Sequence, residues 1–353
     1  MMWSFPDAGA EIHHWWLRTP AQGERLALSL KTTLPVNGVS CQLYGLVPPR
    51  HIRLMSSKLI SIISNGQSLP SPGQFEPAVP WWSFTKTVLA ATALTLVRDR
   101  LLDLDALLPE KAFTLRQLLR HEAGLADYGE LPEYHAAVAN HEAAWSPAEM
   151  MRRLDGHQLR YAPGAGWRYS NVGYMLVVRL IESATDLPLD EAVRRQVLAP
   201  LDISTARFAT ERTDPHRDYL GNSLKYDPSW VYHGLLIGPI SQAALLLDRL
   251  LAGELLPANL LRDMQETRGL GGPIAGRPWI SPGYALGLMR GVVNGGLTLT
   301  GHTGCGPGSV MAVYRGAVGE AAACCAVFSP GSNEGDIEAL VVEQIRRALK
   351  STC

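Results

Sequence analysis

Residues 81–98 read WWSFTKTVLAATALTLVR, and the rest of the chain is organised around them. After Ser83 and Lys86 the stretch runs on without Gly or Pro, dominated by Ala, Leu and Thr. It predicts a helix of about four turns that is apolar nearly all round, as helices buried inside a domain are. Positions three apart share a helix face, so the Ser83 hydroxyl and the Lys86 amine can meet. The free N–H groups and partial positive charge of a helix N-terminus favour a serine oxygen that becomes anionic. That is the logic of an activated nucleophile, and no other S-x-x-K occurs in the chain.

The whole chain sets bounds on that reading. At 353 residues, 46% hydrophobic and 18% charged, it has the composition of a soluble globular protein with room for two folding units. A net charge of −1 with interspersed signs gives no electrostatic footprint for nucleic acid or an anionic membrane. The five cysteines, Cys41, Cys305, Cys324, Cys325 and Cys353, lack a framework spacing and read as reduced thiols. The N-terminus, MMWSFPDAGAEIHHWW, carries Asp and Glu where a secretory signal needs a basic start and an apolar core. The longest apolar run, Thr87–Val97, is too short to span a bilayer, so a cytoplasmic setting is expected. The histidines show no ligand spacing, which argues against a metal, and nothing indicates an organic cofactor. His13-His14 and Trp15-Trp16 read as a surface segment that docks its tryptophans.

Along the chain, strands are expected at residues 26–30 and 39–43, with Val47-Pro48-Pro49 as a connection to a second run, His51–Ile63. Ser64–Pro80, rich in Gly, Pro and Ser, reads as a loop. Thr114 is the expected N-cap of a helix over Leu115–His121, with His121 as its C-terminal cap ahead of Gly124 or, in the alternative, a catalytic group. Helical periodicity recurs at Pro147–Leu154, Tyr174–Ala184, Leu189–Leu198, Gly234–Leu251 and Ala258–Thr267. From Gly283 the period turns alternating, with strands expected at Tyr284–Leu288, Leu297–His302, Val310–Tyr314 and Ala323–Phe328. Asn333–Lys350 closes the chain as an amphipathic helix.

Two further motifs lie downstream of Ser83. Tyr169-Ser170-Asn171 sits in PGAGWRYSNVGY just before a helix, and His302-Thr303-Gly304 follows a strand in GHTGCGPG. Each alone reads as a glycine-rich turn. In order, SFTK, YSN and HTG resemble the S-x-x-K, Y-x-N and K(or H)-T-G set of the penicillin-recognising serine hydrolases. That family includes class C β-lactamases, D-alanyl-D-alanine carboxypeptidases, D-amino-acid amidases and β-lactamase-like esterases. FTLRQLLRHEAGLADYG, GPISQAALLLDRLLAGELLP and GYALGLMR share its cadence, so the resemblance runs from Trp81 to the end. It implies an α+β, β-lactamase/transpeptidase-like fold, an antiparallel sheet flanked by helices plus an all-α domain. Residues 1–82 and 268–353 would form the discontinuous α/β part, and 83–267 the mostly helical part.

The resemblance also implies acyl transfer through an acyl-serine. Ser83 would be the nucleophile, with Lys86 and Tyr169 moving its proton; which of the two is the general base stays open, and the pair would titrate together. Asn171 would orient Lys86 and the substrate amide. The backbone N–H groups of Ser83 and Cys305 would receive the oxyanion, while Thr303 and Gly304 let the substrate lie along a strand edge. His302, only partly charged at neutral pH, stands where a lysine would hold a carboxylate. That tilts the expected substrate toward small esters, amides or D-amino-acid derivatives and away from efficient β-lactam turnover. The rival reading is a non-catalytic ligand or peptide sensor, for which intact Ser83, Lys86 and Tyr169 would be superfluous. Oligomeric state is not legible.

Overall fold

A computed structural model describes residues 58–68, 76–210, 226–331 and 333–351. The strands expected at residues 26–30 and 39–43, the connection at 47–49 and the His13–Trp16 segment lie outside them. In chain order, strands β1 (Leu59–Ser64), β2 (Gln67–Ser68) and β3 (Val79–Pro80) lead to a 3-10 turn at Trp82–Phe84 and helix α1 (Thr85–Arg98). Helices α2 (Leu115–Leu119), α3 (Pro132–Ala139), α4 (Pro147–Arg153), α5 (Asn171–Thr185) and α6 (Leu189–Val193) follow, the last running into a π turn at Arg194–Leu198. Then come β4 (Arg207–Phe208), β5 (Leu236–Gly238), α7 (Ile240–Ala252) and α8 (Ala258–Gln265). Strands β6 (Arg268–Gly269), β7 (Trp279–Ser281), β8 (Gly283–Tyr284) and β9 (Met289–Val293) precede the long β10 (Thr298–Gly306), β11 (Ser309–Val318) and β12 (Ala321–Pro330). Helix α9 (Glu334–Lys350) closes the chain.

Antiparallel pairing orders the main sheet β2-β1-β12-β11-β10-β9-β8-β6, with β7 also on β9. β1 pairs with β12 along its whole length, Leu59 opposite Phe328 and Ser64 opposite Ala323, so an early strand completes a sheet built mostly from late ones. Both faces of this sheet are covered. Met311, Val313, Cys324, Ala326 and Phe328 join the core that holds α1 and α7, while Val310, Ala312, Tyr314, Ala323, Cys325 and Val327 pack with Ile337, Val341 and Ile345 of α9. What alternates along these strands is therefore the packing partner rather than polarity, and this is why AAACCAVF is apolar throughout. Helix α1 is buried from Thr85 to Leu96, and leucines such as Leu89 and Leu94 each contribute about 2–3 kcal/mol by leaving water.

Several element limits differ from the periodicity reading for local reasons. α7 starts at Ile240, because Pro239 fixes an extended backbone ahead of it; Leu236–Gly238 instead pairs with β3 and β4 as a small second sheet. The strand expected over 284–288 stops at Tyr284, where Gly287 (φ +69°) turns the chain and Ala285 N–H bonds Leu288 C=O at 2.8 Å. Thr114 does cap α2, with reciprocal bonds to Gln117 of 3.2 and 2.9 Å, but the helix ends at Leu119. Among the described residues, no helix is long and apolar enough to cross a membrane.

Candidate active site

Ser83 lies in the 3-10 turn just ahead of α1 rather than within the α-helix itself. The turn is held under strain. Trp82 adopts φ +42°, a left-handed backbone that a bulky residue keeps only when its surroundings impose it. Its indole N–H donates to Ser309 Oγ of β11 (3.0 Å), and the Trp81 indole donates to the Gly238 carbonyl of β5 (3.2 Å). The tryptophan pair thus pins the Ser83 turn between the two sheets. Trp82 also borders the cleft.

Around Ser83 Oγ the expected groups converge. Tyr169 Oη donates to it at 2.9 Å and Lys86 Nζ lies 3.3 Å away. Lys86 has no solvent exposure, and burial depresses its amine from 10.5 to about 7, against the opposing pull of the Asp127 carboxylate. Burial pushes the Tyr169 phenol well above its ordinary value, so it stays protonated near neutrality. Tyr169 is placed by the turn it begins. Ser170 caps α5 through the Gly173 N–H (3.1 Å) and donates to the Ala126 carbonyl (2.7 Å).

Asn171 lies beside this group without touching Lys86. Its backbone N–H and side-chain amide both donate to Asp127, at 2.7 and 3.3 Å. The partner that Lys86 does have is His233, whose Nε2 is 3.1 Å from Nζ.

Strand β10 closes the site. A two-residue turn, Pro307-Gly308, joins it to β11 with Gly306 opposite Ser309. The pair that closes such a hairpin exchanges both ladder bonds, and alternation then gives Gly304 and His302 bonded positions toward β11. Thr303 and Cys305 direct their backbone groups to the other edge, which β9 covers only as far as Gly301. The Ser83 N–H has no hydrogen-bond partner among the described residues. Glycine is required where β10 meets the Ser83 turn: a Cβ on Gly304 would stand 2.3 Å from Ser83 N, and one on Gly306 would enter the Trp82 ring.

His302 departs from its expected role. His302 is fully buried; Nδ1 donates to the Thr303 carbonyl (2.7 Å), which leaves Nε2 to accept from Tyr284 Oη (3.0 Å). Burial, with Lys86 nearby, lowers its pKa to about 3, so it is a neutral ring behind the strand and not a half-charged group facing substrate. The Thr303 hydroxyl is engaged by Glu338 (2.5 Å) and Tyr314 (2.7 Å) beneath α9, although the residue still borders the cleft. Glu338 is itself paired with Arg277 and accepts the Trp279 indole N–H at 3.0 Å.

Three buried residues were missed or misread. His121 does not cap α2: it turns inward at φ +60°, accepts the Ser170 N–H on Nδ1 (3.1 Å) and packs 4.4 Å from the Tyr169 ring. Asp127 sits 40 residues from the nearest motif with no signal beyond being an acid in an apolar stretch. His233, beside Gly234, reads as an ordinary loop histidine. Among the described residues, no three His, Cys, Asp or Glu side chains are grouped as a metal ion would need.

The family model described as Beta-lactamase matches residues 76–338. A D-aminopeptidase of Cereibacter sphaeroides is 26% identical over 198 residues, 54% of this chain and 37% of that protein. The chain thus spans well under half of that relative's length. The D-stereospecific amidohydrolase from Streptomyces sp. superposes with a TM-score of 0.67 at 23% identity, covering 82% of this chain and 93% of the other. The D-amino acid amidase from Ochrobactrum anthropi SV3 gives 0.66 at 22%, covering 83% and 94%. At such identities these structures establish a shared β-lactamase/transpeptidase-like fold, α+β with an antiparallel sheet and flanking helices. The family match spans the Ser83 turn, the Tyr169 turn, the β10 edge and the start of α9, and the chain belongs to the beta-lactamase family.

Proposed function

We propose that the protein is a serine hydrolase that cleaves small esters or amides through an acyl-Ser83 intermediate. The observation that carries this is the convergence on one oxygen: the Tyr169 hydroxyl at 2.9 Å and a buried Lys86 amine at 3.3 Å, the latter with its pKa brought to about 7. A neutral amine accepts a proton and a phenol held above its ordinary value does not give one up to water, so Lys86 is the base and Tyr169 the acid. Lys86 takes the Ser83 proton as Oγ bonds the carbonyl carbon. The oxyanion settles between the N–H groups of Ser83 and Cys305. When the carbon–nitrogen or carbon–oxygen bond breaks, Tyr169 protonates the leaving group and regains a proton from Lys86 by way of the site. Water then repeats the sequence against the acyl carbon. Asn171 holds Asp127, and Gly304 lets the strand approach Ser83.

The cleft supports a substrate of amino-acid size. It encloses about 250 Å³, with Trp82, Tyr128, Tyr134 and Tyr226 along one side and the carboxyl groups of Asp127 and Glu334 at its margin. Aromatic faces beside acids favour an apolar or aromatic side chain next to an amino group. Glu334 is already paired with Arg277 at 2.7 Å, which moderates its share. His302, buried and neutral, offers no cation to a carboxylate. Relatives named D-aminopeptidase and D-amino acid amidase add support to this reading, in which D-amino-acid amides and esters come ahead of β-lactams. The test is labelling with a fluorophosphonate, followed by turnover of a chromogenic ester, D- and L-aminoacyl nitroanilides and a chromogenic cephalosporin, with Ser83→Ala as control. Absence of both Ser83-dependent labelling and turnover refutes the hydrolase reading.

A further inference from the structure

The contact between Lys86 and His233 has no place in the mechanism above, and its geometry is specific. His233 is 3% exposed and enters from the loop before β5; its Nε2 meets Lys86 Nζ at 3.1 Å, while Nδ1 has no hydrogen-bond partner among the described residues. The other groups near Nζ are Ser83 Oγ at 3.3 Å and the ring faces of Tyr169 and Tyr174, 5.0 and 5.7 Å to their centroids. Ring faces attract N–H groups and repel a lone pair. A neutral amine has two N–H groups and one lone pair to distribute among these neighbours, so the group at Nε2 decides where the lone pair goes. If Nε2 accepts, one N–H is fixed on His233 and the lone pair is left for the Ser83 hydroxyl. If Nε2 carried a proton it would take the lone pair itself and silence the base.

We propose that His233 is a positioning residue for acylation: its Nε2 accepts an N–H from Lys86 and thereby turns the amine lone pair toward Ser83. The inference rests on the acyl-serine reading. The charged groups and titratable groups facing this pair agree with it. Burial holds His233 neutral, as do Lys86, His121 and His302 on neighbouring elements, and among the described residues Asp127 is the acid acting on Lys86. Once Lys86 has taken the serine proton it is an ammonium with three donors, and the accepting imidazole satisfies one of them, so the contact strengthens as the barrier is crossed. Asn171, expected to orient Lys86, bonds Asp127 instead; His233 takes over that task.

The experiment compares His233→Phe, which fills the site without an acceptor, with His233→Gln, which restores one, on the intact chain. Fluorophosphonate labelling of Ser83 is followed from pH 5 to 9, steady-state kinetics are measured on the best ester or amide, and thermal melting checks the fold. His233→Phe should lower kcat and the labelling rate about 10- to 100-fold with KM within about twofold, the range of a lost hydrogen bond to a charged group. His233→Gln should recover most of that loss. If the Phe variant melts early, His233→Asn, too short to reach Nζ, replaces it. Wild-type labelling rate and pH midpoint in the acceptor-less variant, or a Gln variant as slow as Phe with native melting, overturns the proposal while leaving the hydrolase reading intact. A wild-type protein that neither labels nor turns over would refute both.

Discussion

Replacing Gly304 by alanine tests the alignment of the nucleophile turn with the β10 edge. The added Cβ would stand 2.3 Å from Ser83 N, 2.7 Å from Trp82 Cβ and 3.2 Å from Ser83 Cα, whereas ordinary contacts begin near 3.4 Å. Two of the three atoms are backbone, so no side-chain end can swing aside. Relief requires the strand and the turn to part by about 1 Å, and Trp82 is tethered to β11 through Ser309. One of the two proposed oxyanion donors sits on each side of that gap. A displacement of this size costs about 10²-fold in a reaction that depends on alignment, and complete loss of one donor about 10²–10³-fold. Gly304→Ala should therefore lower kcat/KM by about 10²–10³, chiefly through kcat, because the proposed alignment of the two oxyanion donors counts most in the transition state. Stopped-flow or plate-reader kinetics on a chromogenic ester reads this directly, with circular dichroism to confirm the fold. Activity within threefold of wild type would refute the assigned oxyanion geometry.

The other expectations follow from burial and charge. With Lys86 depressed to about 7, the amine is protonated and unable to accept below that pH, so kcat/KM should fall about tenfold per unit from pH 7 to 5; a flat profile would remove Lys86 as the base. Because the unfolded chain binds that proton up to about 10.5, the burial penalty is complete below pH 7 and relieved as pH climbs through 7 toward 10.5. Lys86→Met should thus abolish turnover yet raise stability below pH 7, by no more than about 4–5 kcal/mol, with the gain shrinking toward pH 10 in urea titrations. His302→Lys should destabilise the fold without improving carboxylate substrates relative to neutral esters, since the position is buried and Lys86 and Arg277 already bear on it; a shifted preference in a stable variant would contradict the burial argument. Arg277→Leu leaves the fully buried Glu338 carboxylate without its counter-charge and should cost about 3–5 kcal/mol, read from the denaturation midpoint.

How much of this was legible depends on whether a residue acts through local pattern or through distant contact. The WWSFTK stretch announces its helix and its Ser–Lys pair because both follow from spacing along one helix face. Tyr169 and the β10 glycines become legible when their order along the chain is set beside Ser83. The strands β11 and β12 and a sheet flanked by helices are legible, but which helix each face meets is not, because Tyr314, Cys325 and their neighbours look the same in sequence whichever helix they meet. His302 was read by its intrinsic pKa; the hydrogen bonds to Tyr284 and to its neighbour's carbonyl, which fix it as a neutral buried ring, depend on a turn at Gly287 that interrupts the expected strand. Asp127 and His233 carry no local signal, as each is defined only by what it faces across 40 to 150 residues of chain.

These two residues also explain how a lysine can be both buried and useful. A lone ammonium at this depth would be neutralised outright by desolvation, and a lysine fully paired with a carboxylate would keep its proton and fail as a base. Asp127 supplies a counter-charge that is itself weakened, because burial raises its carboxyl and Asn171 occupies both its oxygens. His233, His302 and His121 stand close enough to Lys86 to feel its charge and are themselves held neutral by burial. The balance leaves Lys86 near neutrality in proton affinity, and the strain at Trp82 keeps Ser83 against it. The pocket is thus costly to fold and poised to exchange one proton, and both properties follow from the same buried amine.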